Sequence, residues 1–149
     1  MSYFEIFRDR VCKTENAKSL MNFMIKVDSK VNIFERFDVT ALLEIMFLAV
    51  LPEYGRRGIG LNLCKFSIDL ARELKQGMNQ EMLSPEQRLN LPQLVSAIWT
   101  AKNSQKIGGK LGFECLHVDF HKNHTFDDKT FADRLGDASA VAVLAAKRL

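Results

Sequence analysis

The sequence predicts an α/β fold, on three observations. A strongly apolar run, Ile45-Met46-Phe47-Leu48-Ala49-Val50, is closed by Pro52 and followed at once by a glycine-rich turn and a helical stripe. Three further apolar runs, Leu94 to Trp99, Phe113 to His121 and Ala138 to Ala146, follow with helical or polar segments between them. That is the pattern of strands alternating with helices. Of 149 residues, 47% are hydrophobic and 26% charged, which is enough chain and apolar surface for one domain to bury a core.

Each element has a local reason. From Thr14 the pattern is helical: Ala17, Leu20, Met21, Met24 and Val27 recur at three- and four-residue spacing, and Thr14 is placed to cap the N–H groups ahead of it. Asp28 to Asp38 is polar and broken, with Phe34 and Phe37 as anchors on neighbouring elements. Leu42 to Leu51 reads as a strand, apolar on both faces as a central strand covered on both sides would be. After Gly55, Gly58 and Gly60, a stripe of Ile59, Leu63, Phe66 and Leu70, flanked by Cys64, Ala71 and Leu74, predicts a helix ending near Gly77. Met78 to Gln93 is an elaborated loop. It holds a short helix signal in Ser84-Pro85-Glu86-Gln87, with a capping residue, proline at the first helical position and glutamine at the third. Leu94 to Trp99 is the next strand. Asn103 to Leu111 is a helix despite Gly108-Gly109, and Gly112 terminates it. Phe113 to His121 is a strand, Asp127 to Asp137 a polar excursion and Ala138 to Ala146 a last strand.

Composition excludes several classes. Lys+Arg number 21 against 18 Asp+Glu, a net charge of +3. The cations are scattered apart from Arg56-Arg57 and Lys147-Arg148, so no nucleic-acid-binding stripe forms. The longest apolar run, Ile45 to Leu51, is far short of the roughly 20 residues that span a bilayer. The N-terminus lacks a signal-peptide layout, and Cys12, Cys64 and Cys115 make neither a disulfide framework nor a metal motif. The expectation is a soluble, cytoplasmic domain that binds no nucleic acid, membrane or metal.

The most informative segment is the turn Pro52-Glu53-Tyr54-Gly55-Arg56-Arg57-Gly58-Ile59-Gly60-Leu61. Between a buried strand and an amphipathic helix, the first helical N–H groups have no internal partner and the helix dipole adds positive charge, so the junction suits an anion. Gly58 and Gly60 remove the Cβ atoms that would block a phosphate, and Arg56 and Arg57 add forked donors. The spacing is neither a Walker loop nor a dinucleotide fingerprint. Read plainly, the same glycines make only a tight turn beside solvated arginines.

Leu48-Ala49-Val50-Leu51-Pro52-Glu53-Tyr54, running into Arg56-Arg57-Gly58-Ile59-Gly60, resembles the acetyl-CoA-binding motif of the GNAT N-acetyltransferase superfamily. Asn103 through Lys110-Leu111-Gly112-Phe113 resembles that family's next helix and its ending. Phe34-Glu35-Arg36-Phe37-Asp38-Val39, Leu43-Glu44-Ile45, the paired hydroxyls Thr100 and Ser104, and the tail ending Lys147-Arg148-Leu149 are similar to the insect arylalkylamine N-acetyltransferase branch. The resemblance covers nearly all of Glu15 to Leu149. It implies a GNAT-like mixed central sheet flanked by helices. Acetyl-CoA, as cosubstrate, would lie between two splayed strands, with Leu48 and Val50 on the strand, Arg56 beside the turn, the amides of Arg57, Gly58, Ile59, Gly60 and Leu61 around the pyrophosphate, and Asn103 opening the helix opposite. The implied reaction is direct attack of a small arylalkylamine on the thioester, with Ser104 or Thr100 returning a proton to the thiolate. The alternative is a non-catalytic acyl-CoA-binding paralogue.

The departures are informative. Gly55 stands where the family has Gln or Arg, and Gly108 where many members carry a tyrosine acid. Little chain precedes Leu42, so the N-terminal strands of such folds are expected to be missing or reduced. The exposed sheet edge this leaves would favour a homodimer. Plainer readings stand beside the chemical ones. Thr100 and Ser104 suit helix caps. Glu44, beside the cofactor strand, and Glu53, in the approach to the turn, are candidates for a proton relay, and read plainly they are solvated or salt-bridged carboxylates. His117 and His121 would lie about 13 Å apart on one strand, too far for one ion. Cys64 and Cys115 read as buried small hydrophobes, and Trp99 as a core residue or pocket wall.

Overall fold

The structure, a computed structural model, describes residues 2–149. Its N-terminal portion is helical. Ser2 and Glu5 cap one another, Glu5 N–H donating to the Ser2 hydroxyl at 3.3 Å and Ser2 N–H to the Glu5 carboxylate at 2.6 Å. They start helix α1 (Tyr3–Arg10), which the sequence reading did not assign. Thr14 caps α2 (Glu15–Asp28) as expected, accepting from Ala17 N–H at 3.2 Å. Met21, Phe23 and Val27 are its buried face, while Leu20 is half exposed. The broken stretch contains α3 (Ile33–Phe37), with Phe37 buried and Phe34 on the outside.

The sheet has four strands in the order β1-β2-β6-β3: β1 (Leu42–Ile45), β2 (Leu94–Trp99), β3 (Glu114–Phe120) and β6 (Val141–Arg148). Parallel pairing joins β1 to β2, and β6 runs antiparallel to both β2 and β3, so the sheet is mixed. Two expectations change here. The first strand ends at Ile45 rather than Leu51, because Phe47 takes a left-handed φ of 26° and turns the chain off the ladder. That strand is also an edge, half-buried throughout, not a central strand covered on both faces.

Glycine starts and ends the helices where the chain needs left-handed backbone. Gly58, at φ 76°, opens α4 (Ile59–Lys75), and Gly112, at φ 73°, follows α6 (Lys102–Lys110). The buried stripe of α4 is Cys64, Ile68, Ala71 and Leu74; Leu63 and Phe66, expected inside, are exposed at 46% and 68%. The short helix after Ser84 forms as α5 (Pro85–Arg88), with its reciprocal cap. The polar excursion between β3 and β6 holds a small hairpin, β4 (Thr125–Phe126) with β5 (Lys129–Thr130), and α7 (Phe131–Leu135). Cys115, expected to be buried, is exposed.

Alternation along β2 divides the core. Leu94 packs with Phe23, Val27, Ile33, Phe37 and Leu144 under α2 and α3. Val95 meets Ile68 and Ala71 of α4, and Ala97 and Trp99 meet Cys64 of α4 and Ala145 of β6. Helices thus cover both faces, and each fully buried Leu or Val adds about 1.5–3 kcal/mol. No helix among the described residues is long and apolar enough to cross a membrane.

Candidate active site

The site grows out of the divergence of β1 and β2. Their ladder ends at Ile45 opposite Ala97. Beyond it the chain from β1 passes Leu48 and Val50 into a one-turn 3-10 helix at Pro52–Tyr54 and then into α4. The chain from β2 passes Thr100 and Ala101 into α6. Between them opens a groove of about 670 Å³, walled by Leu48 and Val50 on one side and by Thr100, Asn103, Ser104 and Ile107 on the other.

The floor is the start of α4. The backbone is left-handed at Arg56 (φ 60°) and Gly58, and the N–H groups of Arg57 through Leu61 have no hydrogen-bond partner among the described residues, the first ladder bond running from Asn62 N–H to Gly58 C=O. These donors and the helix dipole make a concave anion seat. A Cβ built on Gly60 would lie 3.3 Å from Ile107 Cδ1 and 3.8 Å from Val50 Cγ2, so a side chain there would begin to fill the cradle. Arg56 lines the groove, as do Lys106 and Lys110, one turn apart on α6, and no carboxylate is among the described residues that line it. Lys106 was not singled out in the sequence, although its i,i+4 spacing from Lys110 on a predicted helix was visible. Arg57 is not on the wall; its guanidinium lies 5.9 Å over the Tyr54 ring. The donor set fits an elongated polyphosphate such as the pyrophosphate of coenzyme A, with Leu48 and Val50 offering an apolar strand wall beside it.

A second, smaller cavity of about 170 Å³ joins this groove at Leu48, Thr100 and Ser104. Its walls are apolar, with Phe4, Leu20, Met21, Met24, Phe47 and Trp99 among them, and Glu44 is the one ionisable side chain among the described residues that line it. Burial, and after it the like charge of Asp28, push the Glu44 carboxyl up to about 7. Glu44 is thus a half-buried acid without an ion pair among the described residues.

The two hydroxyls separate. Ser104 Oγ donates to Ala101 C=O at 2.9 Å and accepts from Ala101 N–H at 3.2 Å, so it closes the start of its own helix. The Thr100 hydroxyl makes no hydrogen bond among the described residues and faces the junction of the two cavities. Gln105, unforeseen from sequence, holds this corner: its amide donates to Val141 C=O at 2.8 Å and Trp99 C=O at 3.2 Å. At Gly108 an added Cβ would fall 2.4 Å from Trp99 Nε1. The indole occupies the space a larger residue would need, so a side chain there would have to displace it. At Gly55 a Cβ would meet Pro52 C=O at 3.0 Å, so the turn itself favours glycine.

The histidines serve structure. His124 Nε2 lies 2.6 Å from Asp119 Oδ1, both buried, and His117 Nε2 is 3.9 Å from Asp119 Oδ2. His121 is buried against Phe23 and 3.4 Å from Thr100 C=O. No cluster that could hold a metal ion occurs among the described residues.

Comparison with solved structures places the fold. The chain superposes on a mosquito arylalkylamine N-acetyltransferase-like protein, 5b, with a TM-score of 0.70 at 18% identity, covering 98% of this chain and 61% of that one. Arylalkylamine N-acetyltransferase 2 from Aedes aegypti gives 0.72 at 18% identity, over 97% and 59%. A Drosophila melanogaster polyamine N-acetyltransferase that forms N-acetylagmatine gives 0.71 at 17% identity, over 99% and 62%. No protein-family model and no curated protein matches the sequence. The fold is that of the GNAT N-acetyltransferases. Its solved neighbours are insect arylalkylamine and polyamine N-acetyltransferases, and the chain spans about three fifths of their length.

Proposed function

We propose that the chain is an acetyl-CoA-dependent N-acetyltransferase acting on a small amine of arylalkylamine type. One observation carries the reading. The unpartnered amides of residues 57–61, ringed by Arg56, Lys106 and Lys110, open directly into an apolar cavity at Thr100. An anion seat at one end and an amine-sized apolar chamber at the other suit a long phosphorylated thioester and an apolar acceptor. The solved neighbours, all acetyltransferases of amines, support it over a non-catalytic binding role.

In this reading Gly58, Ile59, Gly60 and Leu61 bind the pyrophosphate through backbone N–H groups, and Arg56, Lys106 and Lys110 supply charge. Leu48 and Val50 flank the pantetheine arm, with Asn103, in the first turn of α6, opposite. Bound acetyl-CoA supplies an activated thioester. Thr100, whose hydroxyl makes no hydrogen bond among the described residues, protonates the leaving thiolate in this reading, whereas Ser104 fixes the start of α6. The acceptor is a primary amine with an apolar or aryl arm suited to Met21, Met24, Phe47 and Trp99. The reaction needs no metal. We also infer that the open edge of β1 pairs with a second copy.

Titration with acetyl-CoA, followed by calorimetry and thermal shift, tests the reading. A ligand that binds only the folded state raises its apparent stability. The native chain is expected to shift, and an Arg56→Glu, Gly58→Asp double variant, which puts two carboxylates at the seat, is expected not to. A native chain that stays folded and ignores acetyl-CoA would refute it.

A further inference from the structure

Thr100 lines three cavities: the anion groove, the inner apolar chamber and a third of about 400 Å³ whose walls include Phe23, His121 and Phe131. That leaves few side chains to hold it by packing. The direction of its hydroxyl is set instead by the two peptide groups that flank its Cα. Each peptide is planar, so pinning both carbonyls fixes φ and ψ, and branching at Cβ then restricts the rotamer. The carbonyl before that Cα, of Trp99, accepts from the Gln105 amide at 3.2 Å, and the one after it, of Thr100, lies 3.4 Å from His121 Nε2. Both anchors are themselves tied to the entry of β6. Gln105 also donates to Val141 C=O at 2.8 Å, and the His121 backbone N–H donates to Ala140 C=O at 3.0 Å.

Packing alone does not account for the His121 side chain. It is 1% exposed, with its ring 5.4 Å from that of Phe23. A carbonyl oxygen only accepts, so Nε2 carries the hydrogen. Nδ1 is then left buried with no partner among the described residues. An unpaired buried nitrogen costs free energy, and a bond as long as 3.4 Å returns little of it. A phenyl ring would pack against Phe23 without that cost. What histidine adds at this position is the N–H that meets Thr100.

We infer that His121 is a positioning residue: through Nε2 it holds the Thr100 carbonyl, and with it the hydroxyl, where the anion groove meets the inner chamber. His121 itself lines neither the groove nor that chamber, so it acts through Thr100. The inference rests on the acetyltransferase reading above and on Thr100 as the group that protonates the thiolate.

A double-mutant cycle tests it, comparing the native chain with His121→Phe, Thr100→Val and the pair. Turnover of a panel of arylalkylamines, acetyl-CoA affinity by calorimetry and the urea midpoint are measured on each. His121→Phe is expected to lower kcat by about ten- to a hundredfold, with acetyl-CoA affinity unchanged and a urea midpoint no lower than the native one. In the Thr100→Val background the same change is expected to alter kcat by less than about twofold, because no hydroxyl is left to position. His121→Gln, which returns an N–H to the place of Nε2, is expected to recover most of the lost kcat. His121→Leu makes the same deletion if the phenylalanine variant does not fold. Equal losses in both backgrounds, native kcat in the phenylalanine variant, or a glutamine variant as slow as the phenylalanine one overturns the assignment and leaves the acetyltransferase reading standing. Native kcat in Thr100→Val, or acetyl-CoA binding without turnover of any amine by the native chain, overturns the roles of Thr100 and His121 together. A native chain that binds no acetyl-CoA overturns the acetyltransferase reading, and this inference with it.

Discussion

Two adjacent glycines on α6 show how one side chain's position decides opposite outcomes. In a helix interior, alanine is favoured over glycine by about 1 kcal/mol. Gly109 has nothing within 4 Å of an added Cβ, whereas at Gly108 that atom would press on Trp99 Nε1 and Cε2 at 2.4 and 2.8 Å. Gly109→Ala is expected to raise stability by up to about 1 kcal/mol. Gly108→Ala is expected to lower it by about 1–3 kcal/mol, because overpacking outweighs propensity. Urea midpoints at unchanged slope would show both. Glu44 makes the same point through charge. Its ordinary value is 4.5 and the folded value about 7, so between those pH values the folded chain holds a proton that the unfolded chain has released. Stability therefore falls as pH rises through the window, by up to about 3 kcal/mol, and no such loss exists below it, where both states are protonated. Asp28, also raised by burial, acts in the same direction. Glu44→Gln is expected to unfold at higher urea than the native chain at pH 8 and at nearly the same urea at pH 4.5.

Among the elements, legibility tracked how local the determinant was. Thr14, Ser84 and Gly112 signal helix boundaries through bonds or dihedrals within a few residues, and α2, α5 and α6 appear at or beside the expected places. Thr14→Ala is expected to cost about 1 kcal/mol in thermal or urea unfolding. The start of α4 was legible for the same reason, since Gly58 must adopt a positive φ wherever the rest of the chain lies. The end of β1 was not. Met46 to Leu51 has the composition of a strand, and only the absence of a pairing partner beyond Ile45 and the turn at Phe47 stop it. The α4 stripe failed in part because helical spacing admits more than one apolar face. Packing against β2 chose Cys64, Ile68 and Ala71, leaving Leu63 and Phe66 outside. Asp119 belongs to this scale too, tying β3 to the loop before β4. Burial pushes its carboxyl up, but the bond with His124 and the charges of His124, His117 and Lys26 outweigh that and hold it below the usual range. Asp119→Ala is expected to cost about 1–3 kcal/mol by leaving His124 buried without its partner.

Across the whole molecule, four strands carry helices on both faces and leave β1 and β3 as edges. Sedimentation equilibrium is expected to show reversible self-association in the micromolar range if β1 pairs with a second copy; a strict monomer throughout would remove that proposal. The glycine turn before α4 and the helix after Thr100 could be read from one sequence because helix starts and the amides left unpaired there are set by consecutive residues. Strand order, apart from neighbours in the chain, could not be read, because β6 enters between β2 and β3 through hydrogen bonds to residues far away in sequence. The same holds for the separation of Thr100 from Ser104 and for the desolvation of Glu44. Local backbone chemistry is written in short stretches of residues. Which carboxylate loses its water, which hydroxyl stays free and which apolar face is covered depend on surfaces brought together from distant parts of the chain, and those the folded packing alone decides.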